Sequence, residues 1–339
     1  MRIFSYIFLL FFIFFSNQNS AQKKQLTHFF SSKHPDAQLI KEPVAWQVKF
    51  LYGTYGMQTL GKKLVSLFGK HATTREAHLK FSTDKKLTKK QIDYYLKCYK
   101  NFINMQEFII PEQGFSCFND WFIRSLKNQE KDRPLEKNLH AISSPADSKL
   151  LIIPNLSQDT QVTIKEQAFN LETFLQDKNL AQNYTGGLMM IFRLAPYDYH
   201  RYHYPIDCTV SQEVRVPGIY QSVNRRAFYA GAKPLTVNKR SYELVTPAGS
   251  IAKFSDKPII MVQVGATAVA SIVNHFTVLP KDTIFTRGSE TGYFQFGGST
   301  IVLLFKKDTI IADKQITKNS LAGYETAVKV RETIAHWKI

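Results

Sequence analysis

Cysteine is scarce in this chain of 339 residues. The three cysteines, Cys98, Cys117 and Cys208, are odd in number and lack the spacing of a metal site. They argue against a disulfide scaffold, and no other pattern in the chain indicates a metal. The length allows a large core to be buried without such cross-links, and a hydrophobic fraction of 44% is ordinary for a globular protein.

A membrane-spanning apolar run is also lacking at the N-terminus. Arg2 precedes thirteen largely apolar residues, 3–15, and polar residues 16–22 follow. Because about twenty residues are needed to cross a bilayer, residues 1–22 are predicted to be a signal or membrane-targeting segment. We favour a secretory address that leads to the endomembranes. The rival is the mitochondrial inner membrane, disfavoured because such leaders usually carry several arginines, and an uncleaved shallow anchor stays open.

Acidic residues are few, since 27 Asp and Glu face 44 Lys and Arg, for a formal net charge of +17. This charge fits a solvated basic surface, a nucleic-acid partner or an anionic membrane equally well. No nucleic-acid-binding motif accompanies it, so the membrane is favoured. Residues 62–100 hold eleven Lys or Arg against three acids. Residues 46–68 mix aromatic residues with lysines and resemble an interfacial segment, the alternative being an amphipathic helix packed on the core.

The periodicity of the apolar residues changes along the chain. Thr88 and Gln91 form a capping-box pattern, and apolar residues then recur at helical spacing as far as Ile103. A second helix is predicted over residues 117–126. From Leu150 onward the pattern becomes one of short strands, predicted at residues 150–153, 187–194, 259–264, 268–273 and 300–305.

These signals predict an α+β fold in two parts. Residues 23–114 form a basic, helical N-terminal region that contacts the membrane. Residues 115–339 form a β-rich domain that carries the candidate chemistry.

The run from Gly292 to Thr300 contains the most informative candidate. Gly297 and Gly298 let the backbone turn tightly and bring the Ser299 hydroxyl toward the carbonyl of Gly298. Attack there would convert the amide into an ester, and β-elimination would cut the chain and leave dehydroalanine. Hydrolysis of that group would release ammonia and leave an N-terminal pyruvoyl group. Gly297 and Gly298 could otherwise mark only a β-bulge.

A serine hydroxyl needs a base to become a nucleophile. Asp147 lies in the run Ser144-Pro-Ala-Asp147, and His200 and His203 lie three residues apart in a Tyr-rich segment. The chain order Asp, His, Ser is one of the arrangements of a catalytic triad. Because this order of three residues also arises by chance, it does not by itself establish a catalytic site.

Taken together, the segments resemble the phosphatidylserine decarboxylase family in sequence, order and spacing, over roughly residues 115–335. In chain order the matching motifs are Phe118-Asn-Asp-Trp-Phe-Ile-Arg-Ser-Leu-Lys127, Arg133-Pro134, Ser144-Pro-Ala-Asp147, the double-histidine run, Val223-Asn224, Asn238-Lys-Arg240, Val264-Gly-Ala266, Gly297-Gly-Ser-Thr300, Asn319-Ser320 and Glu325-Thr326.

The resemblance implies roles for particular residues. Asp147, His203 and Ser299 match the self-processing triad, with His203 as the base and Asp147 holding its imidazole. His200 matches the histidine of the decarboxylation step. Cleavage between Gly298 and Ser299 would leave a large chain, 1–298, and a small chain of 41 residues. Family members commonly form dimers, so a homodimer is possible.

The resemblance also implies the reaction, which is decarboxylation of phosphatidylserine to phosphatidylethanolamine. The substrate amine would condense with the pyruvoyl ketone to an imine, and the adjacent carbonyl would accept electrons as pyridoxal phosphate does elsewhere. No metal and no pyridoxal phosphate are required. A protonated histidine suits return of a proton to Cα, and His200 is assigned that role. The expected partner is phosphatidylserine in an anionic membrane.

Three departures from the family pattern put activity in question. Ser148 and Ala270 stand where glycines are usual, and Lys239 where an acid is usual. Ser148 matters most, because a Cβ there could shift Asp147 if the backbone needs a positive φ.

Two other functions are kept open. The first is a serine hydrolase that uses Asp147, His203 and Ser299 on an external ester, although Ser299 lacks the Gly-x-Ser-x-Gly elbow. The second is an inactive homologue that only binds anionic lipid.

Several neighbouring side chains also have two possible roles. Asp198 could cap its own turn or orient His200. Arg193 and Arg201 could bind a phosphate or carboxylate, or form internal ion pairs.

Overall fold

The computed structural model describes residues 24–25, 28–43, 84–157, 159–162, 167–219, 221–225, 232–266, 272–280, 282–296 and 299–339. The predicted leader, the predicted interfacial segment, Ala270, Gly297 and Gly298 lie outside the described residues. Within these ranges, no helix has the length and apolar character needed to cross a bilayer.

The described helices are short apart from α1. The α-helices are α1 (Lys85–Cys98), α2 (Phe118–Phe122), α3 (Gln129–Asp132), α4 (Leu171–Leu175), α5 (Lys178–Asn183), α6 (Pro234–Val237) and α7 (Lys314–Leu321). Single 3₁₀ segments span Met105–Glu107, Gly249–Phe254 and His275–Val278.

Strands account for more of the described chain. They are β1 (His28–Phe30), β2 (Leu39–Lys41), β3 (Ala141–Ser143), β4 (Ser148–Ile153), β5 (Asp159–Val162), β6 (Gln167–Asn170), β7 (Leu188–Leu194), β8 (Arg201–His203), β9 (Cys208–Val210), β10 (Val214–Val216), β11 (Arg240–Pro247), β12 (Ile259–Gly265), β13 (Ile272–Asn274), β14 (Glu290–Phe294), β15 (Ser299–Phe305), β16 (Ile310–Ala312), β17 (Glu325–Val328) and β18 (Thr333–Trp337).

One large sheet organises the fold. Its strand order is β10-β11-β12-β15-β7-β4-β17-β1-β2, and β9 pairs with β11 beside this path. Among the described pairs of this sheet, only β1 with β17 is parallel. Smaller sheets, β13-β14-β8 and β16-β18-β3, pack around it, and β5 pairs with β6.

The central strands are apolar on both faces because each face carries its own core. Along β15, Ile301 and Leu303 enter one buried cluster, whereas Val302 and Leu304 enter the other. This alternation follows the two-residue period of a strand, and continuous apolar runs are expected where both faces of a sheet are covered. Ser299 shares the face of Ile301 and Leu303, so its hydroxyl lies at one edge of the first core.

The N-terminal region differs from the helical region that the sequence predicted. Its described part contains α1, but residues 28–41 form β1 and β2, which extend the main sheet beyond β17. The capping-box prediction was also wrong, because α1 begins earlier. Asp84 is its N-cap and accepts a hydrogen bond from the Leu87 amide, whereas Thr88 is buried inside the helix.

The β-rich part agrees more closely with prediction. The strands expected at 150–153, 187–194, 259–264 and 300–305 correspond to β4, β7, β12 and β15 within two residues. The helix expected over 117–126 is only the five residues of α2. The described part of the chain is a mixed fold with a large β-sheet and few helices.

Candidate active site

Ser299 opens β15 at the centre of the main sheet. It pairs with Leu194 of β7 on one side and with Gly265 of β12 on the other. The residue is completely buried. A group formed from Ser299 would therefore be held on both sides by strand pairing.

His200 is the histidine that contacts Ser299. Its Nδ1 lies 3.3 Å from Ser299 Oγ, and its Nε2 lies 3.1 Å from the carbonyl oxygen of Ala195. A carbonyl can only accept, so Nε2 carries the hydrogen and Nδ1 offers a lone pair to the serine hydroxyl. The bond to Ala195 thus selects the tautomer that can accept the proton of Ser299.

The surroundings of His200 keep its ring neutral. Burial lowers the pKa of His200 well below its ordinary value, and the positive charge of Arg124 lowers it further. Phe122 of α2 stacks on the imidazole with ring centroids 3.8 Å apart. At neutral pH the uncut chain therefore presents a neutral, oriented acceptor to Ser299.

His203 has the opposite tautomer and other partners. Its Nδ1 donates to the carbonyl of Gly288 at 2.8 Å, and Tyr199 donates its hydroxyl to Nε2 at 3.2 Å. Burial lowers the pKa of His203 as well. Both ring nitrogens are thus occupied, and the described contacts include no bond from His203 to Ser299 or Asp147.

Asp147 lies just before β4 in a basic pocket. Arg133 donates Nε and Nη2 to its two oxygens at 3.1 and 2.7 Å, and the Val330 amide donates at 2.8 Å. Lys329 adds a further contact at 3.3 Å. Burial alone would raise the pKa of Asp147, but the charges of Lys329 and Arg133 and these hydrogen bonds hold it below its ordinary value. The carboxylate is ionised.

The expected triad is therefore not one hydrogen-bonded chain in the described structure. Asp147, His203 and Ser299 are all buried, and Asp147 acts on His203 through its charge. The direct contact with Ser299 belongs to His200 instead. A spacing of three residues did not reveal which ring would face the serine, because that depends on the loop between β7 and β8.

The three neighbouring side chains for which two roles were open all make contacts within the protein. Asp198 accepts from the Ala195 amide at 2.7 Å and from Lys149, so it caps its own turn and holds the carbonyl that orients His200. Arg193 forms buried ion pairs with Glu42 and Glu325. Arg201 pairs with Glu290.

The described departures from the family pattern leave the site intact. Ser148 is extended backbone inside β4, where it pairs with Val328, so no glycine-like φ is needed there. Lys239 is exposed, and its backbone bonds to Ile219 and Gly265.

The sequence did not assign several residues that complete this site. Arg133 lies in a motif that carried the resemblance, but no role was predicted for it. No sequence pattern indicated Lys329, because it comes close to Asp147 only when β17 pairs with β4. The described residues contain no cluster of three or more His, Cys, Asp or Glu that could hold a metal ion.

Comparison with known proteins identifies the family. The family model of phosphatidylserine decarboxylase matches residues 118–336. A phosphatidylserine decarboxylase proenzyme of Fusobacterium nucleatum is 35% identical, with 80% of this chain and 88% of the relative covered. Proenzymes of the same name from Clostridium novyi and Clostridium botulinum strain Hall are 36% and 33% identical, over 74% and 90% of this chain and 81% and 98% of the relatives. The chain belongs to the phosphatidylserine decarboxylase family.

Proposed function

We propose that this protein decarboxylates phosphatidylserine to phosphatidylethanolamine after cutting its own chain between Gly298 and Ser299. The supporting observation is a fully buried serine at the start of a central strand, hydrogen-bonded to a neutral histidine, in a chain of this family. The comparisons lend no support to the serine hydrolase or to the inactive lipid-binding homologue. The division into residues 1–22, 23–114 and 115–339 is kept as part of the proposal.

Self-cleavage needs only groups of the chain itself and one water molecule. Ser299 Oγ loses its proton and attacks the Gly298 carbonyl, and the amide nitrogen leaves and is protonated, which gives an ester. Loss of the Ser299 Cα proton breaks the Cβ–O bond, releasing the Gly298 carboxylate. Water then replaces the nitrogen of the dehydroalanine as ammonia and leaves the pyruvoyl ketone.

The pyruvoyl group supplies the electron sink for loss of CO2, so neither a metal nor pyridoxal phosphate is part of the proposal. Ser299 fits the origin of that group because pairing with Leu194 and Gly265 immobilises it. His200 lies beside the same residue and is placed to deliver a proton to the substrate Cα. Its low pKa keeps it neutral in the empty site, so a substrate anion would have to favour its protonated form.

Two assignments of the base for self-cleavage are distinguishable. The resemblance assigns it to His203, supported by Asp147, with His200 reserved for decarboxylation; this is the assignment we propose. The second assignment rests on the hydrogen bond from Ser299 to His200: His200 also takes the serine proton, and His203 holds the loop through Gly288 and Tyr199.

Three variants and the wild type test the function and the assignment together. Denaturing gels and intact mass should reveal a 41-residue small chain with a blocked N-terminus in the wild type. Ser299→Ala and His203→Ala should stay uncut, and His200→Ala should cut but decarboxylate poorly. Cleavage by His203→Ala together with an uncut His200→Ala would transfer the base to His200. An intact wild-type chain that still forms phosphatidylethanolamine would overturn the proposed function.

The membrane, the organelle and the oligomer belong to the same proposal. A lipid substrate places the reaction at a membrane, and the charge of +17 favours an anionic one. We retain the endomembrane address over the mitochondrial inner membrane, a homodimer, and no nucleic-acid partner. N-terminal sequencing of the large chain from its native host would test the address.

A further inference from the structure

The peptide bond proposed for cleavage lies between two anchored points. On its C-terminal side, Ser299 is fixed by pairing with Leu194 and Gly265. On its N-terminal side, the amide of Phe296 donates to Asn119 Oδ1 at 3.0 Å, across 177 residues of sequence. Only two residues separate these anchors.

Both partners of the N-terminal anchor are buried. Asn119 is 7% exposed and Phe296 is 6% exposed. The ring of Phe296 meets Phe118 and Phe122 edge-on, with centroids 4.8 and 5.2 Å away. The hydrogen bond is thus shielded from water by aromatic side chains of α2, where water competes poorly for the amide.

The same short helix also contacts His200, the histidine beside Ser299. Phe122 of α2 stacks on His200, and Arg124, just beyond α2, donates to the carbonyls of Tyr197 and Asp198 in the loop that carries His200. Residues 119–124 therefore hold both the chain before the cleavage site and the histidine beside Ser299. This gives the Phe118–Lys127 motif a physical role that its sequence did not state.

We propose that Asn119 is a positioning residue for self-cleavage, and this inference rests on the proposed function. By fixing the Phe296 amide, Asn119 restricts the chain two residues before the peptide bond that is proposed to be cut. Reactions within a chain are fast only when the reacting atoms are held in line, and a misplacement of about 1 Å can cost a hundredfold in rate. Asn119 touches no reacting atom itself.

This role predicts a split between the two reactions. After cleavage Phe296 belongs to the end of the large chain, whereas the pyruvoyl group begins the small chain. Asn119→Ala should therefore slow self-cleavage by about tenfold or more, but decarboxylation per pyruvoyl group should stay within about twofold of the wild type. A residue that merely stabilised the fold would lower both.

The experiment follows cleavage of freshly purified full-length protein by gel over time. It then measures CO2 release per small chain after the slow variant has finished cutting, with small-chain content taken from intact mass. Asn170→Ala is the matched control, because Asn170 also accepts a backbone amide through its side chain, from Thr173 in α4, and α4 packs into the core on the other face of the sheet from Ser299. It should cut at the wild-type rate.

Every outcome bears on the inference. A wild type that never cuts would remove the proposed function and this inference with it. A wild type that cuts while Asn119→Ala keeps pace would overturn the inference alone, as would a proportional loss of both reactions. If Asn119→Ala does not fold, Asn119→Asp retains an acceptor oxygen and should cut; failure of a folded Asn119→Asp to cut would count against the role.

Discussion

At the scale of single residues, His200 and His203 differ in which ring nitrogen donates to a backbone carbonyl. Ala195 binds Nε2 of His200, whereas Gly288 binds Nδ1 of His203. The free lone pair is consequently on Nδ1 in one ring and on Nε2 in the other. One lone pair meets Ser299 and the other meets Tyr199. Backbone carbonyls thus set the tautomer of each histidine, and the tautomer of His200 leaves a lone pair for the Ser299 hydroxyl.

Glu243 is a second buried group on the face of the sheet that carries Ser299. It lies on β11 and accepts a hydrogen bond from Gln263 of β12, whose carbonyl accepts from Ser241. Burial raises the pKa of Glu243 to about 8. The carboxyl group is therefore protonated in the folded chain at neutral pH, while in the unfolded chain it is ionised.

This difference predicts how stability depends on pH. Between the ordinary pKa near 4.5 and the folded value of about 8, the folded chain holds a proton that the unfolded chain has lost. The free energy of unfolding should fall across this window by up to about 1.4 kcal/mol per pH unit. Glu243→Gln keeps an acceptor for Gln263 without a charge, so it should remove this contribution and stabilise the protein at pH 7.5 more than at pH 5.5.

Urea unfolding of the uncut Ser299→Ala chain at these two pH values provides the measurement. Glu172→Gln, at an exposed position in the first turn of α4, is the control for removing a carboxylate. An unchanged slope in Glu243→Gln would mean that Glu243 is ionised in the folded chain.

At the scale of elements, β15 would hold the two chains together after the proposed cleavage before Ser299. The strand lies between β12 and β7 and pairs with them from Ser299 to Phe305. Its apolar side chains enter both cores. Beyond it, the rest of the small chain supplies β16, α7, β17 and β18, and β17 pairs with β4 of the large chain. Cleavage before Ser299 therefore breaks one bond and none of these contacts.

We expect the two chains to remain associated after cleavage. They should elute together in size exclusion at neutral pH and in 1 M salt, because buried apolar contacts are insensitive to screening. They should separate only at denaturant concentrations that also unfold the sheet. Release of the small chain by salt alone would contradict the described pairing.

The central strands could be predicted from sequence because both faces are apolar, so β7 and β15 appear as uninterrupted hydrophobic runs. The start of α1 was missed because Asp84 caps it through a single side-chain bond, and Thr88 three residues into the helix offered an equally good pattern. The strands β1 and β2 were missed because three-residue strands have no measurable period. Their place in the sheet depends on contacts with β17, about 300 residues later.

The candidate site likewise contains residues that motifs predicted and residues that no motif indicated. Asp147, His200, His203 and Ser299 were predicted from their motifs, and the structure buries all four. The donors to Asp147 and the anchor at Asn119 depend on tertiary neighbours that no local pattern encodes. The contact of Ser299 with His200 rather than His203 depends on the path of the loop between β7 and β8.

At the scale of the whole molecule, the candidate site and a basic surface lie at the same end. α1 packs against α2 through Tyr95, whose ring lies 5.0 Å from Phe118 and 6.3 Å from Phe296. The opposite side of α1 is lined with exposed lysines, Lys85, Lys86, Lys89, Lys90 and Lys97. A lipid head group that reaches Ser299 from an anionic bilayer would bring that bilayer close to these charges.

This arrangement predicts which lysines matter for membrane binding. Each lysine near an anionic surface contributes about 1 kcal/mol of attraction, and the attraction is screened over about 8 Å at physiological ionic strength. Reversing Lys85, Lys86 and Lys90 to Glu should therefore weaken binding to phosphatidylserine vesicles at least tenfold in low salt. The difference from wild type should shrink as salt is raised, and neutral phosphatidylcholine vesicles should bind neither protein well.

The matched control reverses three other lysines, Lys307, Lys314 and Lys318, which are exposed and lie beyond the far end of β15. The net charge of the two triple variants is the same, so a difference between them reports position rather than total charge. Vesicle co-sedimentation at two salt concentrations measures both. If the two variants lose affinity equally, the surface around α1 is not the membrane-facing side. The net charge of +17, rather than the position of particular lysines, would then determine binding to the membrane.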